Sequence, residues 1–297
     1  MLAKQGDLFK TFSWDIRLKN AVDILSFYFY NYKTTTNRAE TGAYNDSKAI
    51  YVNNIISPLH MQVLISPKNE FEAREAVNGG ADIIDVKNPA EGSLGANFPW
   101  VISAIRELVP QSIRISATIG DFPHLPGSAS LAALGAAVSG ADYIKVGLRG
   151  SKTQHDAIFL MRHVAQAVNE YDPCIKVVAA AYADYQRACT LNPRSLPRVA
   201  QQAGCNVVMV DTFIKDGKGL FDFMDPITCR QFVDEGHKRA LDVALAGSIK
   251  LADVPILKDI GVDIIGIRGA ACSRGDRVAG TIQAENVRHL MTLAKTA

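Results

Sequence analysis

The chain has 297 residues, 48% of them hydrophobic and 21% charged, which is enough to fill a core and excludes a disordered or fibrous protein. Its 32 basic and 30 acidic residues leave a formal charge of +2, so nothing suggests a nucleic-acid or membrane surface, and small-molecule partners are expected. Cys174, Cys189, Cys205, Cys229 and Cys272 stand far apart with no C-x-x-C spacing, an odd set that fits a reducing cytoplasm better than a disulfide framework.

Residues 1 to about 60 hold many aromatics (FYFYNY, Phe27 to Tyr32) and then a polar stretch without sustained period. The apolar run Ala21 to Tyr30 is interrupted by Asp23 and too short to span a bilayer, and no small-residue cleavage pattern follows it. Two accounts fit this N-terminal extension: an upstream, mis-assigned start, or a genuine arm. From Met61 a regular alternation begins. Strands are predicted over 62–66, 83–86, 112–117, 142–147, 175–180, 207–210, 242–246 and 263–267, each followed by a helical pattern such as Glu70–Val77, Trp100–Leu108, His155–Asn169 or Ile227–Arg239. The strands are short apolar runs without strict alternation, as parallel strands buried on both faces are. Eight βα units over residues 61–297 match the size of a (β/α)₈ TIM barrel, the predicted fold, with a doubly wound open sheet as the alternative.

One phrase recurs before every second strand: GADII at Gly80, GADYI at Gly140, GCNVV at Gly204 and GVDII at Gly261, with spacings of 60, 64 and 57. Each glycine suits a left-handed helix end, and a spacing of two βα units is what a closed barrel produces. Counting from each glycine, the fifth residue on is Asp85, Lys145, Met209 and Gly266, and the seventh is Lys87, Gly147, Asp211 and Arg268. Both positions face the same side of a strand. Asp85, Lys87, Lys145, Asp211 and Arg268 are therefore predicted to point inward near the C-terminal strand ends, where barrel active sites lie. A structural ion-pair network is the competing account of these charges.

A lysine becomes a covalent catalyst only when its amine is neutral, which burial or neighbouring cations favour. Lys145, and Lys215 four residues beyond Asp211, supply such cations for Lys87, while Asp85 and Asp211 offer proton relays. That constellation reads as Schiff-base chemistry of the class I aldolase type. AGS (Ala246 to Ser248) and RGAAC (Arg268 to Cys272) fall after strands 7 and 8, where barrels often bind phosphate; Gly247, Ser248, Arg268 and Gly269 are the candidates. The loop Glu91 to Trp100 could close over a substrate, or be a plain helix start with Asn97 as N-cap. His124 and His155 read as surface residues, and no metal-binding spacing is present, so no metal is predicted.

The strings ADIIDVKNPAEGSLGANFPWVI (Ala81 to Ile102), SGADYIKVGL (Ser139 to Leu148), DTFIKDGKGLFDF (Asp211 to Phe223) and ALAGSIK (Ala244 to Lys250) resemble the (5-formylfuran-3-yl)methyl phosphate synthases. The resemblance runs from Met61 to the C-terminus. It implies a lyase of methanofuran biosynthesis and one-carbon metabolism that condenses two glyceraldehyde 3-phosphate molecules into a furan aldehyde keeping one phosphate. No cofactor is implied. The family's Schiff-base lysine in DVKNP corresponds to Lys87, its proton-transferring lysine in YIKVG to Lys145, and its DTxxKDG segment to Asp211, Lys215 and Asp216. Two alternatives remain at this level: a class I aldolase acting on another phosphorylated aldehyde, and a non-catalytic barrel that binds a phosphorylated metabolite. The sequence leaves the oligomeric state open, although exposed apolar helix positions would allow a homo-oligomer.

Overall fold

The computed structural model describes residues 61–295, so the readings of residues 1–60 lie outside the described residues. Eight strands, β1 (Gln62–Ile65), β2 (Ile83–Val86), β3 (Arg114–Asp121), β4 (Tyr143–Gly147), β5 (Lys176–Tyr182), β6 (Val207–Asp211), β7 (Asp242–Ala246) and β8 (Ile264–Ile267), close into one barrel in chain order. All neighbours are parallel, and β8 pairs with β1. Between and after them run α1 (Glu70–Asn78), α2 (Pro99–Leu108), α3 (Pro126–Val138), α4 (Gln154–Tyr171), the short α5 (Tyr185–Ala188) with α6 (Leu196–Ala203), α7 (Pro226–His237), α8 (Asp253–Ile260) and α9 (Ala284–Lys295). This is the (β/α)₈ barrel expected from the alternation, and the open-sheet alternative is excluded by the β8–β1 pairing.

The strands separate two cores. Outward residues such as Val63, Ile84, Val208, Val210 and Leu245 pack under the helices, while Leu64, Ile83, Tyr143, Val207, Met209, Ala244 and Ile264 fill the barrel itself. Both strand faces are thus apolar, which is why the sequence showed no simple alternation. β3 and β5 run further than expected, to Asp121 and Tyr182. In β3 the extra length passes Gly120 (φ +121°), and the pairing with β4 shifts between Thr118 and Asp121. A glycine inside a bulged strand looks like a turn in sequence.

The recurring phrase has a physical basis. Gly80, Gly140, Gly204 and Gly261 all take the left-handed conformation, at φ of +87°, +97°, +77° and +83°, and turn the chain from helix into strand. The second residue after each glycine then clamps the foot of the preceding strand. Asp82 accepts from the Val63 N–H at 2.9 Å, Asp142 from Ile115 at 2.7 Å, Asn206 from Val177 at 2.8 Å and Asp263 from Val243 at 2.7 Å. In return, the backbone N–H of each clamp residue donates to the carbonyl of the same strand residue. Four copies of one device hold the N-terminal end of the barrel and set the register of the even strands.

Candidate active site

At the opposite end a cavity of about 840 Å³ opens, lined by Asp85, Lys87, Lys145, Asp211 and Lys215 and, across from them, by Gly247, Ser248, Arg268 and Gly269. The structure therefore brings all nine sequence-derived candidates to one place. What each of them touches separates them.

Asp85 and Lys145 form a closed pair. Lys145 Nζ lies 2.8 Å from both Asp85 oxygens, and the same carboxylate accepts from Ser116 Oγ at 2.7 Å and Ser66 Oγ at 2.9 Å. Both residues are almost wholly buried. Burial alone would raise the Asp85 pKa, but Lys145 and Lys87, with the hydrogen bonds from Lys145 and Ser116, outweigh it and hold the carboxyl below its ordinary value. With its acceptor sites filled this way, Asp85 is suited to anchoring the Lys145 ammonium.

Lys87, two residues beyond Asp85 and just past the end of β2, is left comparatively bare. Its amine has one hydrogen bond, to the Ser93 carbonyl at 3.2 Å, and no carboxylate within ion-pair distance among the described residues. Burial, reinforced by the charges of Lys145 and Lys215 and opposed by those of Asp211 and Asp85, brings its pKa down to about 7. A substantial share of this amine is neutral near pH 7, the condition for attack on a carbonyl. Across the barrel, Asp211 Oδ1 accepts from Lys215 Nζ at 2.6 Å and from the Thr212 N–H at 2.7 Å. Burial pushes Asp211 up, yet Lys215, Lys87 and these hydrogen bonds hold it well below the usual carboxylate range. Asp216, the last polar residue of the same motif, turns away to pair with Arg187.

The loop after β2 lies across the mouth of the barrel. Ser93 Oγ donates to the Thr212 carbonyl at 2.7 Å, Thr118 Oγ1 donates to the Leu94 carbonyl at 2.7 Å, and the Leu94 N–H reaches Asp121 at 3.2 Å. These bonds tie the loop to the ends of β3 and β6. Asn97 is not the N-cap expected from sequence: the cap of α2 is Phe98, without a side-chain bond, because Pro99 opens the helix. The Asn97 amide instead reaches back towards the carbonyls of Lys68 and Lys87, at 3.4 and 3.5 Å, and its side-chain oxygen accepts from the Phe98 N–H.

Gly247 (φ +112°) and Ser248 (φ +49°) form a left-handed turn after β7. A Cβ on Gly247 would stand 2.9 Å from Thr212 Cγ2, so only glycine fits where this turn abuts β6. Arg268, one of the phosphate candidates, is buried and bonded within the protein: Nη1 and Nη2 meet both oxygens of Glu72 at 2.8 and 3.2 Å, and Nη1 also donates to the Ser66 carbonyl at 2.7 Å. His124 and His155 are exposed, as expected. Among the described residues, no group of three or more His, Cys, Asp or Glu side chains is placed to hold a metal ion.

Several features escaped the sequence reading. Ser66 just past the end of β1 and Ser116 on β3 belong to odd βα units, which carry no repeat phrase, so the register count could not reach them. Tyr182, fully buried at the end of β5, donates to Asp121 for the same unseen reason. Arg277 lines the cavity from an irregular segment where no periodicity exists to place it.

Comparison with known proteins bears on this geometry. A family model described as 4-HFC-P synthase matches residues 63–291. The (5-formylfuran-3-yl)methyl phosphate synthase of Methanocaldococcus jannaschii is 57% identical over 235 residues, covering 79% of this chain and 100% of that protein. The synthase of the same name from Methanopyrus kandleri is 55% identical over 229 residues, covering 77% and 97%. Among solved structures, 3-hexulose-6-phosphate synthase from Salmonella typhimurium superposes with a TM-score of 0.57 at 19% identity, covering 79% of this chain and 98% of that one. KGPDC from Streptococcus mutans gives a TM-score of 0.54 at 16% identity, covering 79% and 97%. At such identities these structures speak for the barrel alone.

Proposed function

Because the chain belongs to the 4-HFC-P synthase family, we propose that it makes (5-formylfuran-3-yl)methyl phosphate from two molecules of glyceraldehyde 3-phosphate, through an imine at Lys87, as a step of methanofuran biosynthesis. The observation that carries this reading is the Lys87 amine, buried and brought to a pKa of about 7 in the mouth of the barrel. A non-catalytic phosphate-binding barrel would have no use for a neutral amine there.

In the proposed sequence the neutral Lys87 amine adds to the aldehyde carbon of one triose phosphate, and the carbinolamine loses water to give the imine. Lys145, held by Asp85, mediates proton removal from the neighbouring carbon, and phosphate leaves from the next one. The second triose phosphate first isomerises by proton transfer so that its carbonyl lies at carbon 2, and the fragment's terminal carbon forms the carbon–carbon bond there, which places the phosphorylated methylene on ring carbon 3 of the furan. A hydroxyl closes the ring, dehydration makes it aromatic, and hydrolysis of the imine returns the amine. The balance is two triose phosphates to one furan phosphate, one orthophosphate and two waters. Asp211, at the end of β6 across from Lys87, and Lys215, in the loop that follows, suit proton transfer at the carbinolamine stage. The turns at Gly247–Ser248 and Gly269 suit the substrate phosphate.

The test is to incubate the full chain with glyceraldehyde 3-phosphate, follow the ultraviolet absorbance of the furan aldehyde, and identify the product by mass. Furan formation by the wild type and a loss of at least about 1,000-fold in Lys87→Ala are expected. Trapping with borohydride adds a second readout: the rate of adduct formation at Lys87 should rise about tenfold per pH unit below about 7 and level off above it, because only the deprotonated amine reacts. An adduct without furan would leave the lysine chemistry standing and overturn the product assignment.

A further inference from the structure

Two arginines follow β8, and their surroundings are opposite. Four of the five N–H groups of Arg268 are engaged, by Glu72, by the Ser66 carbonyl and by the carbonyl of Arg277 at 2.7 Å. The Arg277 side chain is half-buried, lines the cavity that holds Lys87, and has neither a hydrogen bond nor an ion pair among the described residues. Its neighbour Asp276 makes no ion pair with it, and Asp276 Oδ1 accepts instead from the backbone N–H groups of Val278 and Ala279 at 2.8 and 3.0 Å.

The backbone that carries this bare guanidinium is fixed in place. The segment around it is closed by the bridge between Cys272 and Ile282, by the Ser273 N–H donating to the Thr281 carbonyl at 2.9 Å, and by the Gly280 N–H donating to the Asp276 carbonyl at 3.0 Å. Arg268, locked on Glu72, grips the Arg277 backbone from below. A Cβ on Gly269 would stand 4.0 Å from Arg277 Cβ, so the Arg277 side chain springs from beside one of the two turns suited to phosphate, and both residues line the same cavity. Burial works against the Arg277 charge and Asp211 offsets it only in part. An unpaired, half-buried cation of this kind is stabilised when a dianion enters the cavity. Lys250 and Arg274 also face the cavity, but they are exposed and already solvated.

We infer that Arg277 is the guanidinium that binds the phosphate of the aldehyde attached at Lys87, and that Arg268 is a positioning residue that holds the Arg277 backbone. The planar fork of arginine suits two phosphate oxygens at once. The inference deepens the Schiff-base reading and rests on it for the identity of the ligand.

The experiment compares borohydride trapping at Lys87 by glyceraldehyde 3-phosphate and by unphosphorylated glyceraldehyde, in the full-length wild type, Arg277→Ala and Arg277→Lys. In Arg277→Ala the half-saturating concentration of the phosphorylated aldehyde should rise about 10- to 100-fold while that of glyceraldehyde stays put, with Arg277→Lys between the two. A merely structural role would move both aldehydes together, and that result, or no change in either, overturns the inference. In parallel, inorganic phosphate is titrated calorimetrically into the same proteins. If Lys87 in the wild type traps neither aldehyde, the proposed function fails, and the phosphate titration then decides on Arg277: weakened binding in Arg277→Ala upholds it and equal binding overturns it.

Discussion

The two ends of this barrel treat the same repeated phrase in opposite ways. At the N-terminal end, the second residue after each repeat glycine is Asp82, Asp142, Asn206 or Asp263, and all four accept a backbone N–H from the strand before. At the C-terminal end, the fifth and seventh residues differ from one repeat to the next: two carboxylates, two lysines, two glycines, a methionine and an arginine. The foot repeats because every pair of βα units faces the same geometric task. The mouth diverges because an asymmetric substrate needs different groups on its different sides. Similarity between repeats therefore marks architecture, and departure from it marks the chemistry.

Asp85 is where that division is most easily broken, because it stands at a mouth position yet anchors a buried cation. Asp85→Ala should destabilise the fold by about 3–5 kcal/mol, since it strands the Lys145 charge in the barrel. Denaturant titration would measure this; a loss below about 1 kcal/mol would mean that the pair is dispensable to folding and that the mouth is purely catalytic. Asp142→Ala examines the foot. It removes the acceptor of the buried Ile115 N–H and the partner of Arg106 and Arg114, and should cost about 1–3 kcal/mol while leaving trapping at Lys87 unchanged. A change in trapping would show that the two ends are coupled. The smallest effect is expected for Gly261→Ala. Nothing stands within 4 Å of the added Cβ, so only the strain of φ +83° remains, about 1 kcal/mol, readable as a small shift of the thermal midpoint with full activity.

Much of this arrangement could be read in advance because strand register is a local rule. Once Lys87 and Asp85 are two residues apart on a strand, they share a face, and the repeat carries that face to Lys145, Asp211 and Arg268 without any knowledge of contacts. The same rule has limits. It gave Arg268 and Lys145 the same standing as Lys87, although Arg268 and Lys145 hold carboxylates and Lys87 does not. Asn97 was misjudged as a cap because its reach towards the Lys68 and Lys87 carbonyls depends on how the loop returns to β2.

By itself, the sequence determined the barrel, the spacing of its repeats, and which side chains converge at the mouth, since hydrophobic period and glycine placement are properties of neighbours along the chain. Only the tertiary structure decided which of those charges is satisfied and which is left to react. Whether a buried lysine is an anchored ammonium or a neutral amine depends on distances to residues tens of positions away, as with Lys145 on Asp85, and the same holds for Arg268 on Glu72 against the unpaired Arg277.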